Sequence, residues 1–167
     1  MTIRAVACRS AAMLVCAVLS VPVCAQGLVK ANRLSAALAS ELVTAAVDVC
    51  AKQNQEVTGV IVDISGVQQA MLRGDGAGIN TVTTAYHKAF TAVGYKTDTI
   101  DLVERAKGGR VSSAIVKVPN LLLAQGGVLI KAGDEVIGAI GISGARGNDI
   151  DTACARAGIE KIKDRLK

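Results

Sequence analysis

Two paired apolar runs constrain the fold of this chain more than any other feature. Val57 to Ile64 (VTGVIVDI) is β-branched and almost wholly apolar, Ser65-Gly66 turns it, and Val67 to Arg73 (VQQAMLR) follows. Later, Val128 to Lys131 leads through the tight turn Ala132-Gly133-Asp134 into Glu135 to Ser143 (EVIGAIGIS). Each unit reads as a hairpin, so its strands pair antiparallel. A strand that is apolar at nearly every position needs cover on both faces, which calls for helices on either side of the sheet.

The flanking segments supply such helices. Leu34, Leu38, Leu42, Ala45 and Val49 recur at three and four residues and predict a helix over Leu34 to Gln53. After the glycine cluster Gly74, Gly76 and Gly78, Asn80 or Thr81 can cap a helix reaching about Val93. A short helix is expected over Ile100 to Lys107, ended by Gly108-Gly109. The last runs from Asp149 to Leu166, with Asp149 and Asp151 in its first turn and Lys161, Lys163, Arg165 and Lys167 near its end, an order that suits the helix dipole. Between Arg110 and Gln125 the pattern leaves alternatives open: Val111 to Val118 reads as a strand, Pro119 to Ala124 as a strand or a turn of helix.

The N-terminus bears on compartment. Arg4 and Arg9 with no acidic residue, an apolar run from Ala11 to Leu19, and Val23 and Ala25 at signal-peptidase spacing make residues 1 to 25 a secretory signal. The run is too short to span a bilayer, which needs about 20 residues. A mature domain beginning near Gln26, periplasmic or secreted, is expected, with no membrane attachment after cleavage. Lipidation at Cys24 is the rival reading, and Val23 before it is a poor match. The net charge of +5 includes Arg4 and Arg9, so the mature excess is too small and too scattered to imply nucleic acid. Cys8, Cys16 and Cys24 depart with the signal, leaving Cys50 and Cys154, which an oxidising compartment allows to pair.

All three aromatic residues, Tyr86, Phe90 and Tyr95, fall close to the sole histidine, His87. On a helix Tyr86 and Phe90 are one turn apart, while His87, Thr91 and Tyr95 share a neighbouring face. A flat conjugated cofactor could lie there with imidazole offered to its metal; equally, the aromatics could pack in the core with His87 a surface residue. Other chemistries fare worse. The glycines at 74, 76 and 78 lack G-x-G-x-x-G spacing and a Walker lysine, so a structural loop is expected. Neither Ser65 nor Ser143 lies in G-x-S-x-G, one histidine cannot build a zinc site of imidazoles, and Asp63, Asp75, Glu104 and Asp149 form no arguable acid/base pair.

In order along the chain stand the Val60 to Gly78 hairpin ending in Arg73-Gly-Asp-Gly-Ala77, HKAFTA from His87 to Ala92, GGVLI from Gly126 to Ile130, GDEVIGAIGISGA from Gly133 to Ala145, and Asp149, Asp151, Ala153 and Gly158 in the last helix. In this order and spacing, over nearly the whole mature chain, the sequence resembles the GlcG/HbpS-like family. The resemblance implies an α+β, profilin-like α/β/α sandwich with a central five-stranded antiparallel sheet, and homo-oligomers from dimers to octamers. It also implies binding of haem, or of a corrinoid as the alternative tetrapyrrole, with haem degradation or a redox-sensing accessory role in some members. Lys88, Thr91, Gly126 and Gly127 fall on the family's motifs as cofactor-pocket residues. His87, where the family has no fixed histidine, is our own candidate for the iron, and Leu129 stands where a proline often follows Gly-Gly-Val. The implied fold sets the first and last helices on one side of the sheet, within reach of a Cys50–Cys154 disulfide.

Overall fold

A computed structural model describes Gly27 and residues 29–166. The expected signal segment lies outside the described residues. The chain divides into two compact units, Met1–Lys30 and Ala31–Lys167, and the second carries all the elements below.

Helix α1 spans Ala36–Ala51, and the Ser35 hydroxyl accepts from the Leu38 amide to cap it. Its inward face, Ala39, Leu42, Val43, Ala46, Val47 and Cys50, follows the three-and-four spacing of an amphipathic helix. Strands β1 (Thr58–Asp63) and β2 (Gln68–Arg73) form the first hairpin, β3 (Gly127–Ala132) and β4 (Glu135–Ser143) the second. The first turn is organised by Asp63, whose carboxylate accepts from the Ser65 and Val67 amides at 2.8 and 3.1 Å and pairs with Arg33 at 3.2 Å. Between the hairpins lie α2 (Ile79–Tyr95) and α3 (Thr99–Lys107), and α4 (Asn148–Ile162) follows the last strand.

Every neighbouring strand pair is antiparallel, in the order β2-β1-β4-β3. The described sheet has four strands, where the resemblance implied five. Val111 to Val118, the stretch with strand character, contains a 3-10 turn at Ser113–Lys117 and joins no sheet. Its Val116 and Val118 side chains are exposed, so apolar content there reflects no buried pleat. The central strands β1 and β4 are buried on both faces, which explains their unbroken apolar sequence.

Alternate residues of these strands enter two cores. Ile61, Val128, Ile130, Ile140 and Ile142 pack with α1 and α4; Val60, Val62, Leu129 and Ala139 pack with α2. The result is a helix, sheet, helix sandwich. Helices α1 and α4 lie so close that a methyl on Gly158 would come within 2.7 Å of the Ala46 Cβ. A Cys50–Cys154 disulfide joins them, with Cα atoms 5.7 Å apart and both residues fully buried. None of the described helices is long and apolar enough to cross a membrane.

Candidate functional site

Helix α2 carries most of the candidate residues, and the sheet beneath it determines how they are presented. Its inner face is the small set Ala85, Ala89 and Ala92, which lets the helix lie directly on β3 and β4. A Cβ on Gly141 would sit 2.8 Å from the Ala89 nitrogen, and nearer still to the Ala85 carbonyl oxygen. One on Gly127 would sit 2.8 Å from the Lys88 carbonyl carbon. The glycine of the Gly126-Gly127 motif that begins β3 therefore allows close helix-on-sheet approach.

The aromatic crowd divides around the helix. Tyr86 and Phe90, ring centroids 5.7 Å apart, turn toward the β1–β2 turn. There the Tyr86 hydroxyl donates to the Gly66 carbonyl at 3.3 Å, and Phe90 lies over the space where a Gly66 side chain would be. His87 is half-buried, with its ring 5.7 Å from Tyr86 and tilted against it. Tyr95 ends the helix and is exposed. Surface grooves between α1 and β2 (about 450 Å³, with Asp48, Glu56, Arg73 and Asp75) and beside α3 and α4 (about 470 Å³, with Lys107, Gln125, Asn148 and Asp149) are not lined by His87. Among the described residues no three histidine, cysteine or carboxylate side chains gather as a metal site.

Lys88 is committed elsewhere. Its side chain is 3% exposed, and its ammonium donates to the Asp151 carboxylate at 2.7 Å, the Ile142 carbonyl at 3.1 Å and Asn148 Oδ1 at 3.4 Å. Asp151, 1% exposed, also accepts from the Ala145 amide at 3.0 Å. All three ammonium protons have acceptors, so the lysine ties α2 to the end of β4 and the first turn of α4. Burial pushes the Asp151 carboxyl above the ordinary aspartate value, and the Lys88 charge and the Ala145 amide oppose that rise. Gly126, at φ +111°, closes this cage: a Cβ there would stand 3.0 Å from the Lys88 Nζ and 2.6 Å from the Ile142 oxygen.

Thr91 is buried and uses its hydroxyl twice, donating to the His87 carbonyl at 2.7 Å and accepting from the Leu122 amide at 2.8 Å. It pins the irregular segment before β3 against α2, one turn from His87. The structure thus brings Lys88, Gly126 and Gly127 together, places Thr91 beside the His87 backbone, and leaves the imidazole half-buried against Tyr86.

Sequence reasoning did not reach Asp151 as a partner, having read it as a dipole acid. A usable signal existed in the lone lysine between Ala85, Ala89 and Ala92, because a charge on an apolar helix face implies a buried counter-charge. Asp98 and Thr99 stand at the start of α3. In the structure they also accept the Leu129 and Gly127 amides, each at 2.9 Å.

These features define a class: a small antiparallel sandwich whose first and last helices are stapled behind the sheet, and whose second helix sits on glycines in front and carries a half-buried histidine. The family model for the haem degrading protein HbpS-like family matches residues 34–160, and the chain belongs to that family. Among solved structures, HbpS is 32% identical with a TM-score of 0.76, covering 81% of this chain and 94% of its own. A double mutant of Streptomyces reticuli HbpS is also 32% identical at 0.76, covering 86% and 97%. A structure described as a PduOC:Heme complex is 27% identical at 0.70, covering 77% and 94%. No curated protein matches the chain.

Proposed function

We propose that this chain is an exported haem-binding accessory protein that offers His87 of α2 to the iron. Family membership over residues 34–160 carries the haem reading, with the similarity to a haem complex beside it. A corrinoid finds no such support. Export is supported by the basic, then apolar, opening of the sequence, and the Cys50–Cys154 disulfide suits an oxidising compartment.

On α2 the donors left for iron are His87 and the exposed Tyr95, and imidazole is the stronger of the two choices for a haem iron. Cys50 and Cys154 are spent on each other, Lys88 holds three acceptors, and the Tyr86 hydroxyl is engaged with Gly66. The His87 imidazole is half-buried, and the tilted Tyr86 ring against it restricts its orientation. Bound haem would supply a redox-active iron, and His87 would hold it while Thr91 fixes the backbone one turn on. The apolar porphyrin face contributes affinity of its own, so loss of one ligand weakens binding without abolishing it.

Haemin titration of the wild type and of His87→Ala tests this. A Soret band that moves on substitution is the expected result. An unchanged spectrum and affinity removes His87 from the iron, and no Soret band in the wild type removes haem binding. The family's printed description favours a second reading, haem degradation, which predicts time-dependent loss of that band once a reductant is added.

A further inference from the structure

The connection from the end of α3 at Lys107 to the start of β3 at Gly127 is long for a small domain. Connections beyond roughly 12 to 15 residues without regular structure are uncommon, and in compact domains they usually serve binding or access. Its one ordered piece is the 3-10 turn Ser113–Lys117. Ile115 is buried, Leu121, Leu122 and Leu123 are half-buried, and Val116, Lys117 and Val118 are exposed.

The segment is held at a single point. From Val111 to Gln125 the amides of Ile115, Val118, Leu121 and Ala124 donate to Ser112, Ile115, Val118 and Leu122, all within the segment itself. The Leu122 amide alone crosses to another element, donating to Thr91 Oγ1 at 2.8 Å. Among the described residues no second hydrogen bond and no ion pair joins this stretch to the body of the fold. A segment so sparsely bonded opens at little cost while the core stays folded. At its near end Gly109 stands at φ +69° with open space where a side chain would be, so the backbone can rotate there without meeting a neighbour. At its far end Gly126 is closed in by the Lys88 cage and its carbonyl accepts from the Ile142 amide, which confines any movement to the residues before it.

We propose that residues 110–125 are a strap latched by the Thr91 hydroxyl, which swings free to admit a flat apolar ring to the turn of α2 between His87 and Thr91 and then closes Leu121, Leu122 and Leu123 over it. That the ring is haem rests on the function proposed above; the latch itself does not. One hydroxyl serves both sides of this arrangement, because Thr91 spends its proton on the His87 carbonyl at 2.7 Å and offers a lone pair to Leu122. The latch and the turn that carries the imidazole are therefore the same group. Three half-buried leucines in a row give the strap an apolar surface suited to the face of a porphyrin.

Limited trypsin digestion with hydrogen exchange, first without haemin, tests the latch. In the wild type the Leu121, Leu122 and Ala124 amides are expected to exchange well before those of β4. Thr91→Val leaves the Leu122 amide without an acceptor in the closed strap, which should speed cleavage after Arg110 and Lys117 about five-fold or more. Thr91→Ser keeps the hydroxyl and should cleave at the wild-type rate. Cleavage unmoved by Thr91→Val, or strap amides as slow as β4, overturns the strap. Haemin should then slow cleavage after Lys117 in the wild type, and an unchanged rate beneath a full Soret band overturns the closure. If no Soret band forms, the haem reading falls while the haemin-free measurements still decide the latch. Should Thr91→Val unfold, the comparison of strap and β4 amides in the wild type decides it instead.

Discussion

Replacing Lys88 with Met removes one partner of a buried ion pair and leaves Asp151 with the Ala145 amide as its remaining donor. At 2.7 Å, the Coulomb attraction at an effective dielectric of about 20 is about 6 kcal/mol, and desolvation of two charges offsets much of it. Removing one partner is different, because the survivor stays buried and unpaired, which typically costs about 3 to 5 kcal/mol. We expect that loss for Lys88→Met in urea unfolding at neutral pH. Asp151→Leu in the same background should cost less than its effect in the wild type, giving a coupling of about 2 to 3 kcal/mol. The deficit should depend on pH. Asp151 is raised in the folded state, so its contribution is fully favourable below the unfolded aspartate pKa and is lost as pH rises through the folded one. Without Lys88 burial acts with less opposition, the folded value climbs further, and the variant's deficit shrinks on acidification as the carboxyl takes up its proton. A loss under about 1 kcal/mol, strict additivity, or a deficit that grows on acidification would refute the reasoning.

Two further outcomes follow from packing and covalent structure. Gly141→Ala puts a methyl against the Ala85 and Ala89 backbone, so α2 must retreat by roughly 1.5 Å to restore contacts of about 3.5 Å. The expected loss is about 2 to 3 kcal/mol, since backbone cannot swing aside, and a melt within error of wild type counts against so tight a seat. Changing both Cys50 and Cys154 to Ala opens a bridge with a sequence separation of 104, and should lower stability by about 2 to 4 kcal/mol. Free thiols on the unreduced protein, or an unchanged melting temperature after reduction, contradict the staple.

Hairpins and helices were legible because their signals are local. β-branched runs around Ser65-Gly66 and Gly133, and apolar residues at three and four positions before Gln53, need no partner to declare themselves. The four-stranded sheet was not legible. Val111 to Val118 has strand composition, but a strand exists only where a neighbour accepts its backbone, and Thr91 binds the following segment through Leu122 instead. His87 and its aromatic neighbours were placed on one helix from spacing alone, yet their division into a flank over Gly66 and a half-buried imidazole depends on which side of α2 meets the sheet.

Sequence by itself determined the elements, their antiparallel pairing, the two cysteines available to bond, and the family to which the chain is similar. The tertiary structure decided the roles. Lys88, Thr91, Gly126 and Gly127 were pocket candidates by motif, and in the fold they build an ion-pair cage, a pin and a helix seat. The physical reason is distance along the chain. Asp151 lies 63 residues from Lys88, and a buried charge is either a liability or a fastening according to what folding brings within hydrogen-bond reach.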